Sequence, residues 1–478
     1  MQMSPHKFSI VAKDDRSSTK VDAIIATSSA ILFACSSLRH ALFQSGAFDL
    51  GIFDQAVYLI SQGDAPISSL LGFHILGDHA ALIFYPLALL YKIYPDVHWL
   101  LAVQAIALAC GALLTWMLAR QAGLKTQQQN AIACVYLLYP LIFNLNLFDF
   151  HPEVIALPAL LWAILAARRG KIAWFCLAIA IVLACKAVLA LTVAAMGFWL
   201  LIWEKRRGEG AIAICAGVAW FLIATQVIIP AFGSAAADVA RHLPRYGYLG
   251  NSFGEIIKNL FLQPGLVLGK IFSLGTLEYL SLLFIPVICL SPQHLTPLVG
   301  AIPTLLMNIL SQAPAQRNLV HHYSLPILPF LLVAAISSLA AGRGWLQSGR
   351  AIVLWSLVAF LALAKFGYFG SKYLESFDTW QATREAIAQV QTPGGVLTTH
   401  EIAPHLTHRR VVKFTDANSP PANFTEFDYI LLNLRHPGWN SNPEFAASLA
   451  NRLKNTQEFN LSYQHDDVYL FKKFSIGS

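Results

Sequence analysis

Two carboxylates stand five residues apart in Phe48-Asp49-Leu50-Gly51-Ile52-Phe53-Asp54-Gln55, directly after an apolar run from Val21 to Phe43. A run of that length can cross a bilayer as a helix, so both acids are held at a membrane boundary by a rigid anchor. A carboxylate there is suited to taking a proton from a hydroxyl presented beside lipid. On a helix, five residues set side chains about 140° apart. Asp49 and Asp54 are therefore separate catalytic candidates and not a paired acid site. Asp49 also precedes a stripe of Leu50, Phe53, Val57 and Ile60, which gives it a competing role as a helix N-cap.

Five other segments carry groups that could join such a site. Gly77-Asp78-His79 lies before the short apolar stretch 80–94; Asp78 and His79, with Glu153, are the candidates for a divalent metal (Mg or Mn), and a helix cap is the plain alternative. Asp149-Phe150-His151-Pro152-Glu153 fills a short hairpin. A helix start accounts for Pro152 and Glu153 and leaves Asp149 and His151 unexplained, so His151 and Glu153 are kept as candidates. Lys186 sits in the otherwise apolar stretch Ile179–Val193. A charge at the bilayer centre costs at least ~2.5 kcal/mol; Lys186 either snorkels to the interface or faces a wet cavity and pairs with an acid or a phosphate. Arg241 and Arg245 in the loop 233–262, and His322 and Tyr323 after His321, are candidate phosphate or substrate ligands.

The elements that must position these groups follow from composition. Hydrophobic residues make up 56% of the 478 and charged ones 12%, half the charged share of soluble domains. Apolar runs lie near 21–43, 97–119, 129–148, 154–168, 172–187, 188–203, 211–232, 266–290, 296–312, 323–342 and 350–369. The fold class is an all-α polytopic membrane protein of about 11–13 transmembrane helices. Its basic clusters before Val21, at Arg120/Lys125, Arg168-Arg169-Gly170-Lys171, Lys205-Arg206-Arg207 and Arg343/Arg350 fall on one side if 80–94 does not cross, and that side is cytoplasmic. The expected organisation is a cytoplasmic tail 1–20, a membrane domain 21–370 with a first outer loop 44–96, and an outer domain 371–478. Every candidate named above then lies on the outer side. The net charge of +7 suits orientation and anionic headgroups and not nucleic acid. The seven cysteines lie in apolar runs and read as small buried hydrophobes.

After Phe369 the chain turns ordinary in composition. Gln381–Val390 reads as a helix, Gly395–Thr399 and Asp428–Leu434 as strands, Asn442–Lys454 as a helix and Phe459–Lys473 as one or two strands. This is a small α/β domain of a size that folds alone.

These landmarks, in this order, resemble a bacterial membrane family known as domain of unknown function 2079. The residues that carry the resemblance are Phe48 to Gln55, Gly77-Asp78-His79, Phe150-His151-Pro152-Glu153, Lys186 and His322-Tyr323. That family in turn resembles the glycosyltransferase C superfamily. The resemblance implies a glycosyltransferase C-like membrane domain, transfer of a sugar from a polyprenyl-phosphate donor, and Asp49 as the acid of the first outer loop, with Asp54 second. One departure stands out. Family members usually follow the intramembrane lysine with an acid, whereas here Ala187-Val188 follow Lys186, so no carboxylate neighbours it in sequence.

The function expected is an inverting glycosyltransferase at the outer face of the bacterial inner membrane, acting on a glycan, lipid or protein acceptor. A flippase for lipid-linked sugars is the first rival and a non-catalytic envelope protein the second. A transporter would often show internal repeats and polar residues reaching both faces; no repeat is visible and the polar groups are one-sided.

Overall fold

The computed structural model describes residues 15–233, 243–288 and 290–474, with side chains from Val21 onward. Helices dominate, because in lipid each backbone N–H and C=O must be paired within its own segment. Among the described residues four helices are long and apolar enough to cross a membrane: Val21–Ala41, His98–Gln121, Arg207–Phe232 and His322–Ala340. Two bent pairs, Pro264–Ile271 with Leu274–Val287 (48°) and Gly349–Leu363 with Phe366–Ala388 (43°), raise the number to six.

Eleven to thirteen spans were expected where the described residues hold four to six, because several of the apolar runs are interrupted or too short. The run 129–148 is two helices, Thr126–Leu137 and Pro140–Asn146, since Pro140 lacks the N–H that would continue the first. The runs 172–187 and 188–203 are helices Ile172–Cys185 and Leu189–Ile202, with Lys186 between them in extended backbone. Hydropathy averages across such breaks and cannot report them. The stretch 80–94 holds only the helix Phe84–Ile93. Ten residues rise about 15 Å, half of what a crossing needs.

Burial sorts centre from rim. In the His322–Ala340 helix 83% of the apolar window is buried, against 11% for Val21–Ala41. The central helix therefore delivers His322 and Tyr323 to the interior, while outward faces present Ile31, Leu38, Leu222, Leu354 and Leu361, an apolar surface suited to lipid.

Beyond a two-residue hairpin of β1 (Ile67–Ser68) and β2 (Phe73–His74), the strands gather near the C-terminus. β3 (Val396–Thr398), β4 (Val412–Phe414), β5 (Tyr429–Asn433), β6 (Phe459–His465) and β7 (Val468–Lys473) form one sheet in the order β4-β3-β5-β7-β6. Val396 pairs in parallel with Val412 and Tyr429, while β7 runs antiparallel to β5 and β6. Every residue of β5 is buried, as expected of a strand covered on both faces. Ile430 and Leu432 pack with Leu449 and Leu453 of the helix Pro443–Lys454. Tyr429 and Leu431 belong to the core that continues into the membrane part. The helix Pro443–Lys454 begins at its cap, Asn442, whose side chain accepts from Phe445 N–H at 2.8 Å. β4 was not expected, because three residues behind Arg409-Arg410 carry too little pattern to read as a strand.

Candidate active site

The opening octapeptide does two different jobs. Ala47–Gly51 is a single π-helical turn that runs into the helix Ile52–Gln62. Such turns recur at functional sites because they redirect one side chain. Leu50 is buried, Phe53 stacks on Phe84 at 5.1 Å, and Asp49 points to a cavity with its side chain 33% exposed. Asp54 points elsewhere. It is fully buried, accepts from the hydroxyls of Tyr91 and Thr407, and lies 3.2 Å from His408 Nε2.

That geometry corrects the reading of Asp54 as a second catalytic acid. Its oxygens are spent on protein donors and no substrate reaches them. Asp54 fastens the C-terminal domain to the first loop, and His408, stacked on Tyr58 at 4.8 Å, completes the clasp. Burial alone would lower the His408 imidazole, but the Asp54 carboxylate raises it above its ordinary value. Gln55 extends the fastening by donating to the Arg409 and Arg410 carbonyls.

Around Asp49 the distant segments converge. His151 Nε2 lies 3.2 Å from Asp49 Oδ1, and His151 Nδ1 faces the Asp149 carbonyl at 3.2 Å. A carbonyl only accepts, so Nδ1 carries a proton, and a proton on Nε2 completes an imidazolium against the carboxylate. Burial would raise the Asp49 carboxyl, yet the hydrogen bond and charge of His151, with Arg39 behind, hold it below the usual carboxylate range. Burial would lower His151, and Asp49 raises it above the ordinary imidazole value instead. Asp149 braces the turn: one oxygen binds the Arg39 guanidinium and the other accepts from Gly46 N–H at 2.9 Å.

His322 stacks on His151 at 4.1 Å and Tyr323 contacts His322 at 4.2 Å. The Arg245 guanidinium lies over the Tyr323 ring, 5.4 Å from its centre, a cation–π contact. Arg241 lies outside the described residues. Lys186 is not free: its Nζ donates to Glu153 Oε1 at 2.6 Å and stands 3.5 Å from His322 Nε2. The acid missing beside Lys186 in sequence is supplied in space by Glu153 at the start of the helix Glu153–Arg168. Glu153 Oε2 and His322 Nδ1 are buried with no hydrogen-bond partner.

The break at Lys186 is braced by the segment that begins at Gly77-Asp78-His79. Ala187 N–H donates to the His79 carbonyl at 2.9 Å, and Ile83 N–H to the Ala184 carbonyl at 3.0 Å. Gly77 admits a different neighbour, since a Cβ there would meet Gly233 backbone at 2.4 Å. Asp78 and His79 form a pair at 3.2 Å. The structure does not support the metal set of Asp78, His79 and Glu153. Glu153 is turned to Lys186, and among the described residues no group of three or more His, Cys, Asp or Glu is arranged to hold a metal ion.

A cavity of about 820 Å³ opens beside Asp49, between the first loop and the C-terminal domain, within the ~300–1,000 Å³ range of ligand sites. Two of its residues, Arg39 and His400, were not anticipated. Arg39 was legible as a charge near the end of an apolar run, by the logic that found Lys186. His400 reaches Asp49 only through the docking of the domain, where Ala47 N–H donates to the His400 carbonyl at 3.1 Å.

Residues 39–470 match the family described as predicted membrane protein (DUF2079), and the chain belongs to that family. Among solved structures it is similar to ArnT from Cupriavidus metallidurans bound to undecaprenyl phosphate, at 14% identity and a TM-score of 0.58, over 96% of this chain and 99% of that one. The apo state of the same ArnT aligns at 13% identity and a TM-score of 0.55, over 95% and 98%. The resemblance to the glycosyltransferase C superfamily thus holds at the level of the fold. No curated protein matches the sequence.

Proposed function

We propose that this chain is an integral membrane glycosyltransferase that moves a sugar from a polyprenyl-phosphate donor to an envelope acceptor at the outer face of the bacterial inner membrane. One observation carries the reading: Asp49 is held anionic by His151, partly exposed at a cavity, with Lys186 beside the stacked His151 and His322 and Arg245 over the adjoining Tyr323 ring. The ArnT of similar fold is bound to undecaprenyl phosphate, which supports a lipid-linked donor. Residues 1–20 would then lie in the cytoplasm and residues 371–478 outside.

The step balances as follows. Asp49 takes the proton of an acceptor hydroxyl, whose oxygen attacks the anomeric carbon from the side opposite the phosphate. The bond from carbon to phosphate oxygen breaks, configuration inverts, and the ring passes through an oxocarbenium-like state. Lys186 and Arg245 meet the charge growing on the leaving phosphate. His151 orients Asp49 and touches no reacting atom. The test is turnover of an undecaprenyl-phosphate sugar by purified protein in nanodiscs. Asp49→Asn should lower it about 10²- to 10⁴-fold, the worth of a general base; full activity in that variant sinks the assignment.

A further inference from the structure

The cavity beside Asp49 has an unusual lining for a protein that handles phosphates. Its non-histidine cations are already matched: Arg39 by Asp149, Lys372 by Glu375 at 2.6 Å, and Arg435 by Asp467 at 2.7 Å. Asp49 and Glu401 add carboxylates to the same lining. An anion entering here would displace existing pairs and face acids, so the cavity suits an uncharged ligand.

An aromatic surface stands in this polar setting. Trp439 is 51% exposed and Phe48 37%, in edge contact at 5.2 Å, with His400 5.6 Å from Trp439. Trp439 is firmly held although exposed. Gly438 has φ +88°, and a Cβ there would lie 3.0 Å from the His400 backbone nitrogen, so glycine lets the turn lie against that backbone. On the other side the Asn440 carbonyl accepts from Ala417 N–H at 2.8 Å, and the Asn440 amide donates to Asp416 at 3.1 Å. A large exposed ring costs water-ordering free energy, and here the backbone that carries it is held before any ligand arrives.

A sugar ring is the ligand that matches both halves of this lining. Its C–H face packs on an aromatic ring, while its rim of hydroxyls both donates and accepts. We propose that the cavity is the acceptor subsite for a neutral glycan, one ring stacking on Trp439 with hydroxyls on His400 and Glu401 and the reacting hydroxyl directed to Asp49. This rests on the glycosyltransferase reading and adds to it the chemical class of the acceptor.

The experiment is saturation-transfer NMR on the full-length protein in nanodiscs, with neutral trisaccharides of glucose, mannose and N-acetylglucosamine as probes. At least one should receive saturation at its ring C–H protons from the wild type, from Trp439→Phe and from Asp49→Asn. Trp439→Ala should weaken binding about fivefold, the scale of an aromatic contact, and Glu401→Gln should weaken it as an independent probe. Failure of all three sugars to bind the wild type, or wild-type binding by both Trp439→Ala and Glu401→Gln, overturns the subsite. Trisaccharide binding that depends on Trp439, together with full sugar transfer by Asp49→Asn, would instead overturn the catalytic reading and leave the subsite standing.

Discussion

His151 sits between two carboxylate-bearing residues and treats them differently: its Nε2 meets the Asp49 side chain at 3.2 Å, its Nδ1 only the Asp149 backbone carbonyl at 3.2 Å. The pairing makes Asp49 the stronger acid and His151 the stronger base, each charge favouring the other.

This relationship has a pH signature. Asp49, lowered in the fold, adds stability above its unfolded value that is lost as pH falls through the lower folded one. His151, raised in the fold, adds stability below its unfolded value that is lost as pH rises through the higher folded one. The pair is therefore at full strength between about pH 4 and 6.5 and fades on either side. In His151→Asn the burial of Asp49 is less opposed, so the acid limb of kcat/KM should move to higher pH while the alkaline limb set by His151 disappears. A pH profile of the variant that overlays the wild type would refute the pairing.

The ion pair of Lys186 with Glu153 is nearly closed to solvent, at 11% and 4% side-chain exposure. Removing one partner leaves a buried charge, a loss of about 3–5 kcal/mol, whereas replacing both with apolar residues of similar volume is far milder. Lys186→Met and Glu153→Leu should each lower thermal stability in detergent, and the double variant should recover most of it. Additive losses would show that the two do not act as a pair. Lys186→Met, alone or in the double variant, should also weaken undecaprenyl phosphate binding.

Asp54 should behave as a fastener. In Asp54→Asn the carboxylate that holds Thr407 and His408 is gone, at about 1–3 kcal/mol for a buried acceptor of charge-assisted bonds. Hydrogen exchange across residues 403–412 should quicken. Any loss of turnover should follow that loosening and be restored under conditions that keep the domain docked. Loss equal to that of Asp49→Asn with unchanged exchange would return Asp54 to the chemistry.

Much of this was open to reading from residue order. Period and polarity told apart a helical membrane part and an α/β segment, since lipid demands continuous apolar helices and a soluble sheet does not. The five-residue spacing already separated Asp49 from Asp54, and Lys186 announced itself by the cost of its charge. The helix breaks were not open in the same way, because Pro140 and the extended backbone at Lys186 interrupt runs that remain apolar on average.

Only tertiary structure assigned partners. Nothing local sets Glu153, thirty-three residues away, against Lys186, or brings Thr407 to Asp54 across 353 positions. Residue type and hydropathy thus determined which side chains would be costly to bury. Packing decided which opposite charge or hydrogen-bond donor meets that cost, because the attraction depends on separation in space, which chain order alone does not specify.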